Sequence, residues 1–208
     1  MHAPVLRDVD SLRRYLKSHA SATPLQRTDG RPTGLPPLDR LLEGGVPKGA
    51  ITVLTGVAGT GRMSIAARLL AEETRALKPV AWVDAKKTLY PPALVQAGVD
   101  LQRLLVVRGA GQRALFAIEQ IVESGAFGIV IASGIESFLS QAGLRRVQAA
   151  SEAAHASTIL VLEPQASALV TNAALKLRVS RRSPGLQVEV EKSRGDTIGR
   201  RAFIELAA

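Results

Sequence analysis

Gly56-Val57-Ala58-Gly59-Thr60-Gly61-Arg62-Met63 carries the glycine spacing of a phosphate-binding loop, GxxxxGK[ST], without its last two residue types. In such a loop, backbone N–H groups and a helix N-terminus cradle phosphates, the lysine reaches the outer phosphates, and the Ser or Thr hydroxyl holds magnesium. Here Arg62 stands for the lysine and Met63 for the hydroxyl. A thioether is soft and uncharged, whereas magnesium takes hard oxygen ligands, so a metal held here loses its protein anchor. Gly56, Gly59, Gly61, Arg62 and Ser64 are therefore read as a vestigial phosphate loop with no catalytic residue, cofactor or metal. Arg62 retains the fork to hold a phosphate bidentately, and Ser64 offers a hydroxyl one position late. Against that stands a structural reading, in which the glycines serve a tight strand-to-helix connection needing positive φ and close approach.

The elements that must position this loop follow from periodicity. An apolar run, Ile51 to Leu54, precedes it and a helix running to about Leu77 follows it. Further strands are expected at Val80–Val83, Leu104–Val107, Phe127–Ala132 and Thr158–Leu162, and helices around 112–124 and 144–154. This βαβ rhythm implies a mostly parallel, twisted sheet with helices on both faces. Past Ala174 the rhythm changes. Leu175/Leu177/Val179, Leu186/Val188/Val190 and Ala202/Ile204/Leu206 alternate apolar with polar, and Ser183-Pro184-Gly185 reads as a turn, which predicts antiparallel strands extending the sheet. Near the start, Val9, Leu12, Tyr15 and Leu16 share one face of a helix expected over 8–18. A Ser/Thr/Gly/Pro-rich stretch tethers it, giving an expected division into an N-terminal helix and linker, 1–32, and a core, 33–208.

The chain has 208 residues, 46% of them apolar, enough for one ordinary domain with a real core. Its net charge of +9 gives a positive field suited to phosphate backbones or acidic protein surfaces. No cysteine is present, which excludes disulfides, thiolate metal sites and thiol nucleophiles. The three histidines share no ligand spacing. With no membrane-length apolar run and no signal-peptide pattern, the expected location is the cytoplasm, with no membrane partner. Basic residues gather near the C-terminus: Lys176, Arg178, Arg181, Arg182, Lys192, Arg194, Arg200 and Arg201. Lys176 and Arg178 alternate with Leu177 and Val179, so a basic face for DNA or a protein partner is geometrically available; the competing reading is a solvated, charge-protected sheet. Aromatic residues make up only 3%, so base stacking would add little.

The order of these features resembles the core of RecA-type recombinases. Thr33-Gly34-Leu35-Pro36-Pro37-Leu38-Asp39-Arg40-Leu41-Leu42 and Gly45-Val46-Pro47-Lys48-Gly49 are similar to the stretch that introduces that core. Val83-Asp84-Ala85-Lys86, Leu89-Tyr90-Pro91, Gly98-Val99-Asp100 and the closing Val188 to Leu206 strands follow in matching order. Where active members of the family place a catalytic glutamate this chain has Lys86, and where they place a metal-positioning aspartate it has Ser133. Together with Arg62 and Met63, these departures imply a protein that is not an enzyme. Glu136 could reach inward, but is expected as a helix cap or a partner of Arg145 or Arg146. The second DNA-binding loop of the family shrinks here to 163–172, with Pro164 or Gln165 in place of its nucleotide-sensing glutamine.

Among RecA-like proteins, the short length, basic charge and eroded loop most resemble the ImuA family of translesion mutagenesis accessory proteins. That resemblance implies an SOS-type role in DNA damage repair through contacts with a RecA-type recombinase and an ImuB-like polymerase homologue, with DNA a further candidate for the basic surface. It also implies that the N-terminal helix docks through Val9, Leu12 and Leu16, and that Lys192 and Arg194 reach towards a neighbouring subunit's nucleotide site. Two alternatives stand beside it: a nucleotide-dependent recombinase paralogue that binds DNA and uses Arg62 and Ser64, and a SulA-like cell-division inhibitor.

Overall fold

Strands that are apolar on both faces need cover on both faces, and the centre of this molecule is built from five of them: Ala50–Thr55, Val80–Asp84, Leu104–Arg108, Ile129–Ser133 and Ser157–Leu162. The computed structural model describes residues 5–6, 30–194 and 197–205. In chain order the elements are β1 (Val5–Leu6), α1 (Pro36–Leu41), β2 (Ala50–Thr55), α2 (Arg62–Arg75), β3 (Val80–Asp84), α3 (Pro91–Gln96), β4 (Leu104–Arg108) and α4 (Ala114–Glu123). They continue with β5 (Ile129–Ser133), α5 (Gln141–Ala154), β6 (Ser157–Leu162), α6 (Pro164–Ser167), β7 (Leu175–Arg182), β8 (Gly185–Lys192) and β9 (Arg201–Glu205). The helix expected over 8–18, with Val9, Leu12 and Leu16, lies outside the described residues.

The strands form one nine-stranded sheet in the order β1-β4-β3-β5-β6-β2-β7-β8-β9. Pairing is parallel from β1 through to β7 and antiparallel for β7–β8 and β8–β9. Successive side chains of a strand feed opposite cores. Trp82, Ile129, Ile131 and Ile159 join Ile65, Leu69 and Leu70 of α2 on one face. Ala81, Val130, Ala132 and Leu160 join Ile118 of α4 and Leu144 and Val147 of α5 on the other. The antiparallel strands feed only the first core, through Leu175, Leu177, Val179, Leu186, Val188, Val190, Ala202 and Ile204. Apart from the buried Gly185, their other residues are half-buried or exposed.

Local differences from the sequence reading have identifiable causes. β5 starts at Ile129, not Phe127; just before it, Gly128 sits against the Arg31 guanidinium, where a Cβ would come within 2.7 Å of Nη1. α2 ends at Arg75, and Leu77 turns out of it at φ 61°. α5 starts at Gln141 because the Ser140 hydroxyl accepts from the Gly143 N–H at 3.2 Å, an N-cap. The segment after β6 opens with a helical turn, α6, that has Pro164 in its first turn.

Among the described residues before Thr33, two points join this body. Val5–Leu6 adds a strand beside β4. Arg31 is 2% exposed; its backbone pairs with Val46, and its guanidinium meets Glu73 of α2 at 2.7 Å and Ser157 Oγ at 3.3 Å. Among the described residues, no helix is long and apolar enough to cross a membrane.

Candidate functional site

Parallel strands in register deliver their following loops to a common edge. Thr55 of β2 lies opposite Leu162 of β6, Val161 of β6 opposite Ser133 of β5, and Ser133 opposite Asp84 of β3. The glycine-rich loop, Glu163, Gly134 and the Ala85–Lys86 turn therefore leave the sheet side by side, at the carboxyl ends where α/β folds build their sites.

The loop turns tightly from β2 into α2. A Cβ on Gly56 would come within 2.5 Å of the Val179 carbonyl. Gly61 caps α2 at φ 89°, and a Cβ there would meet Leu186 Cδ1 at 2.6 Å, so the β8 side chain closes on the loop from the hairpin side. Thr60 Oγ1 donates to the Val57 carbonyl at 2.8 Å, holding the loop on itself. Arg62 does not project into solvent. Its Nη1 donates to the carbonyl of Leu162 at 2.7 Å and to that of Gly56, and its Nη2 pairs with the Glu163 carboxylate. Met63 lies against the α2-side core, while Ser64 is exposed. A cavity of about 330 Å³ remains beside the loop, bounded by Gly59, Gly61, Arg62, Ser64, Arg181 and Leu186 among others.

The neighbouring strand ends are similarly engaged. Ser133 Oγ accepts the indole N–H of the buried Trp82 at 2.9 Å. Asp84, fully buried, accepts the backbone N–H groups of Thr88 at 3.1 Å and Leu89 at 2.8 Å, which braces the turn carrying Lys86. Lys86 Nζ lies 3.1 Å from the Glu136 carboxylate. This corrects the expectation for Glu136: its partner is Lys86, and Arg146 instead meets Glu119 across α4 and α5 at 2.9 Å. The Glu136 carboxylate answers an ammonium three residues beyond Val83 on the next loop, a pairing set by sheet order and not by helix register.

The C-terminal basic residues divide. Lys176 Nζ donates to the Ser167 carbonyl and Lys192 Nζ to the Thr171 carbonyl, each at 2.7 Å, so both staple the 163–172 segment to the sheet. The two lysines are directly opposed in the β7–β8 ladder. Burial, and then the neighbouring Lys192 charge, push the Lys176 ammonium below its ordinary value, with Glu191 opposing. Arg178 pairs with Glu191, Arg201 with Glu189 at 3.2 Å and Arg200 with Glu43 at 3.3 Å. Arg181, Arg182 and Arg194 are exposed, and Arg181 alone of these borders the loop cavity.

Sequence reasoning missed Glu163 as the partner of Arg62 and Trp82 as the partner of Ser133. The second had a readable signal, because an indole N–H inside an apolar strand needs an acceptor nearby. The first depends on β6 lying next to β2, which local sequence does not state.

A parallel sheet with helices on both faces and a glycine-rich strand-to-helix loop at its carboxyl edge defines the class of P-loop α/β folds. Within that class the antiparallel closing strands and the order of motifs narrow the choice. The chain belongs to the family described as the RecA N-terminal domain, whose model matches residues 22–182. Among curated proteins it is similar to Protein RecA of Gloeothece citriformis, 33% identical over 117 residues, covering 56% of this chain and 33% of that protein. Protein RecA of Thermus aquaticus is 31% identical over 121 residues, covering 57% and 36%. The matched stretch thus spans about a third of the length of these relatives. The crystal structure of the RadB recombinase superposes with a TM-score of 0.71 at 19% identity, covering 85% of this chain and 96% of that one, which is a likeness of fold.

Proposed function

We propose that this chain is a catalytically inactive RecA-fold accessory protein of the ImuA type, acting in SOS-type translesion mutagenesis through contacts with a RecA-type recombinase and an ImuB-like polymerase homologue. The observation that carries the reading is the internal capture of Arg62. A guanidinium already shared between two carbonyls and the Glu163 carboxylate has no free fork for a phosphate. The remaining positions support the same reading. Met63 is a half-buried thioether packed against the core, the Ser133 hydroxyl is bonded to Trp82, and Lys86 answers Glu136, so the residues present do not fit a magnesium nucleotide. Val179 and Leu186 crowd Gly56 and Gly61, and Gly59 sits at φ 79° with open space around it, so each glycine has a structural reason to be there.

Isothermal titration with Mg-ATP, alongside a phosphate-release assay with single-stranded DNA, tests the inactive site. The expected result is neither micromolar binding nor turnover, unchanged in Arg62→Ala. Turnover stimulated by DNA and lost in Arg62→Ala or Ser64→Ala would replace this reading with that of a recombinase paralogue, a role to which the retained cavity and Arg181 would then belong. Co-purification tests the partners, and recovery of neither a RecA-type recombinase nor an ImuB-like protein would refute the accessory role.

A further inference from the structure

We infer that β9 is a two-fold pairing edge, through which a second copy of this chain adds its own β9 and joins the sheets of both copies into one. Among the described residues β9 ends the sheet, with no strand on its outer side. The Val190 N–H donates to the Arg200 carbonyl at 3.0 Å, and β8 pairs Val188 with Ala202 and Leu186 with Ile204. In an antiparallel ladder the bonded positions recur every second residue, so Ala202 and Ile204 turn their backbone groups to β8. Arg201, Phe203 and Glu205 turn theirs outward. These three also present exposed side chains on one face, and Phe203, lying over Gly185, is 42% exposed.

The occupant is identified by self-complementarity. Antiparallel pairing centred on Phe203 sets Phe203 against the partner's Phe203, and Arg201 against the partner's Glu205, twice by symmetry. The same register pairs every outward N–H and C=O and places Ala202 beside the partner's Ile204, continuing the apolar layer. Shifting the centre by one residue sets Arg201 against the partner's Phe203 and loses both charge pairs. A bare strand of this kind is otherwise an open template, and among the described residues it is the charged ends of Arg201 and Glu205 that protect it. Five residues bury little area, so the dimer is weak and concentration-dependent.

Sedimentation equilibrium over a wide concentration range tests this with the full chain. A reversible dimer is expected, and Arg201→Glu should raise its dissociation constant by about tenfold. The double exchange Arg201→Glu with Glu205→Arg should restore it, although the contact of Arg201 with Glu189 stays broken, so rescue reports pairing between copies. Phe203→Pro removes an outward N–H that β8 does not use, so it should leave a folded monomer. A wild-type protein that stays monomeric, a dimer indifferent to these changes, or an open polymer would each overturn the proposal.

Discussion

Helix α2 begins and ends on arginine–glutamate pairs that differ in kind. At its start Arg62 holds the glycine-rich loop to the end of β6 through Glu163, with side chains 13% and 40% exposed. Near its end Glu73 holds Arg31, with side chains 6% and 2% exposed. The first pair sits at the carboxyl edge of the sheet, where water screens it and two carbonyls share the guanidinium. The second is sealed between α2, Gly128 and Ser157, and leaves Arg31 Nη2 and Glu73 Oε2 without a partner. One pair fills a site; the other fastens the chain entering the core. Because the desolvation of an ion pair grows with burial, their energetic consequences should diverge sharply.

Breaking the buried pair should show the largest effect. Glu73→Leu strands the Arg31 charge in the core and is expected to cost about 3–5 kcal/mol, read from urea denaturation. Adding Arg31→Met should recover most of that loss, because the pair is incompletely satisfied and Ser157 Oγ keeps its bond to the Pro47 carbonyl at 2.9 Å. If the double variant were as unstable as the single one, Arg31 would be holding its segment by something other than charge. At the loop, Glu163→Gln should cost under about 1 kcal/mol, since its carboxylate is well exposed and Arg62 keeps both carbonyls. A loss there as large as at Glu73 would erase the distinction between fastening and filling.

The same contrast explains what the sequence could say. Ile51–Leu54 and Thr158–Leu162 were legible as buried strands because parallel strands are apolar throughout, and Leu175 to Val190 as antiparallel because one face alone is covered. Glycine spacing located the loop. What remained hidden was every contact fixed by sheet order: Arg62 with Glu163, 101 residues apart, and Trp82 with Ser133, 51 apart. Arg31 was hidden differently. It falls in a turn-rich stretch whose composition suggests a linker, yet it is only 2% exposed. The β1 strand is too short to show a period.

Lys176 sharpens the comparison from the side of pH, with the smallest effect. Its folded value lies below the ordinary 10.5, first through burial and then through Lys192. Below the folded value the ammonium is charged in both folded and unfolded chains, and the folded state carries the full penalty. As pH rises from the folded value towards 10.5, the folded protein gives up this proton before the unfolded chain does. Stability from this group therefore increases across that window, and above it the penalty is gone. Lys176→Met removes the titration and the bond to the Ser167 carbonyl together. Denaturation midpoints of wild type and variant, compared from neutrality upward, should shift in favour of the wild type as pH rises. A difference that stays flat, or moves the other way, would mean that the Ser167 bond and Glu191 already offset the burial of the ammonium.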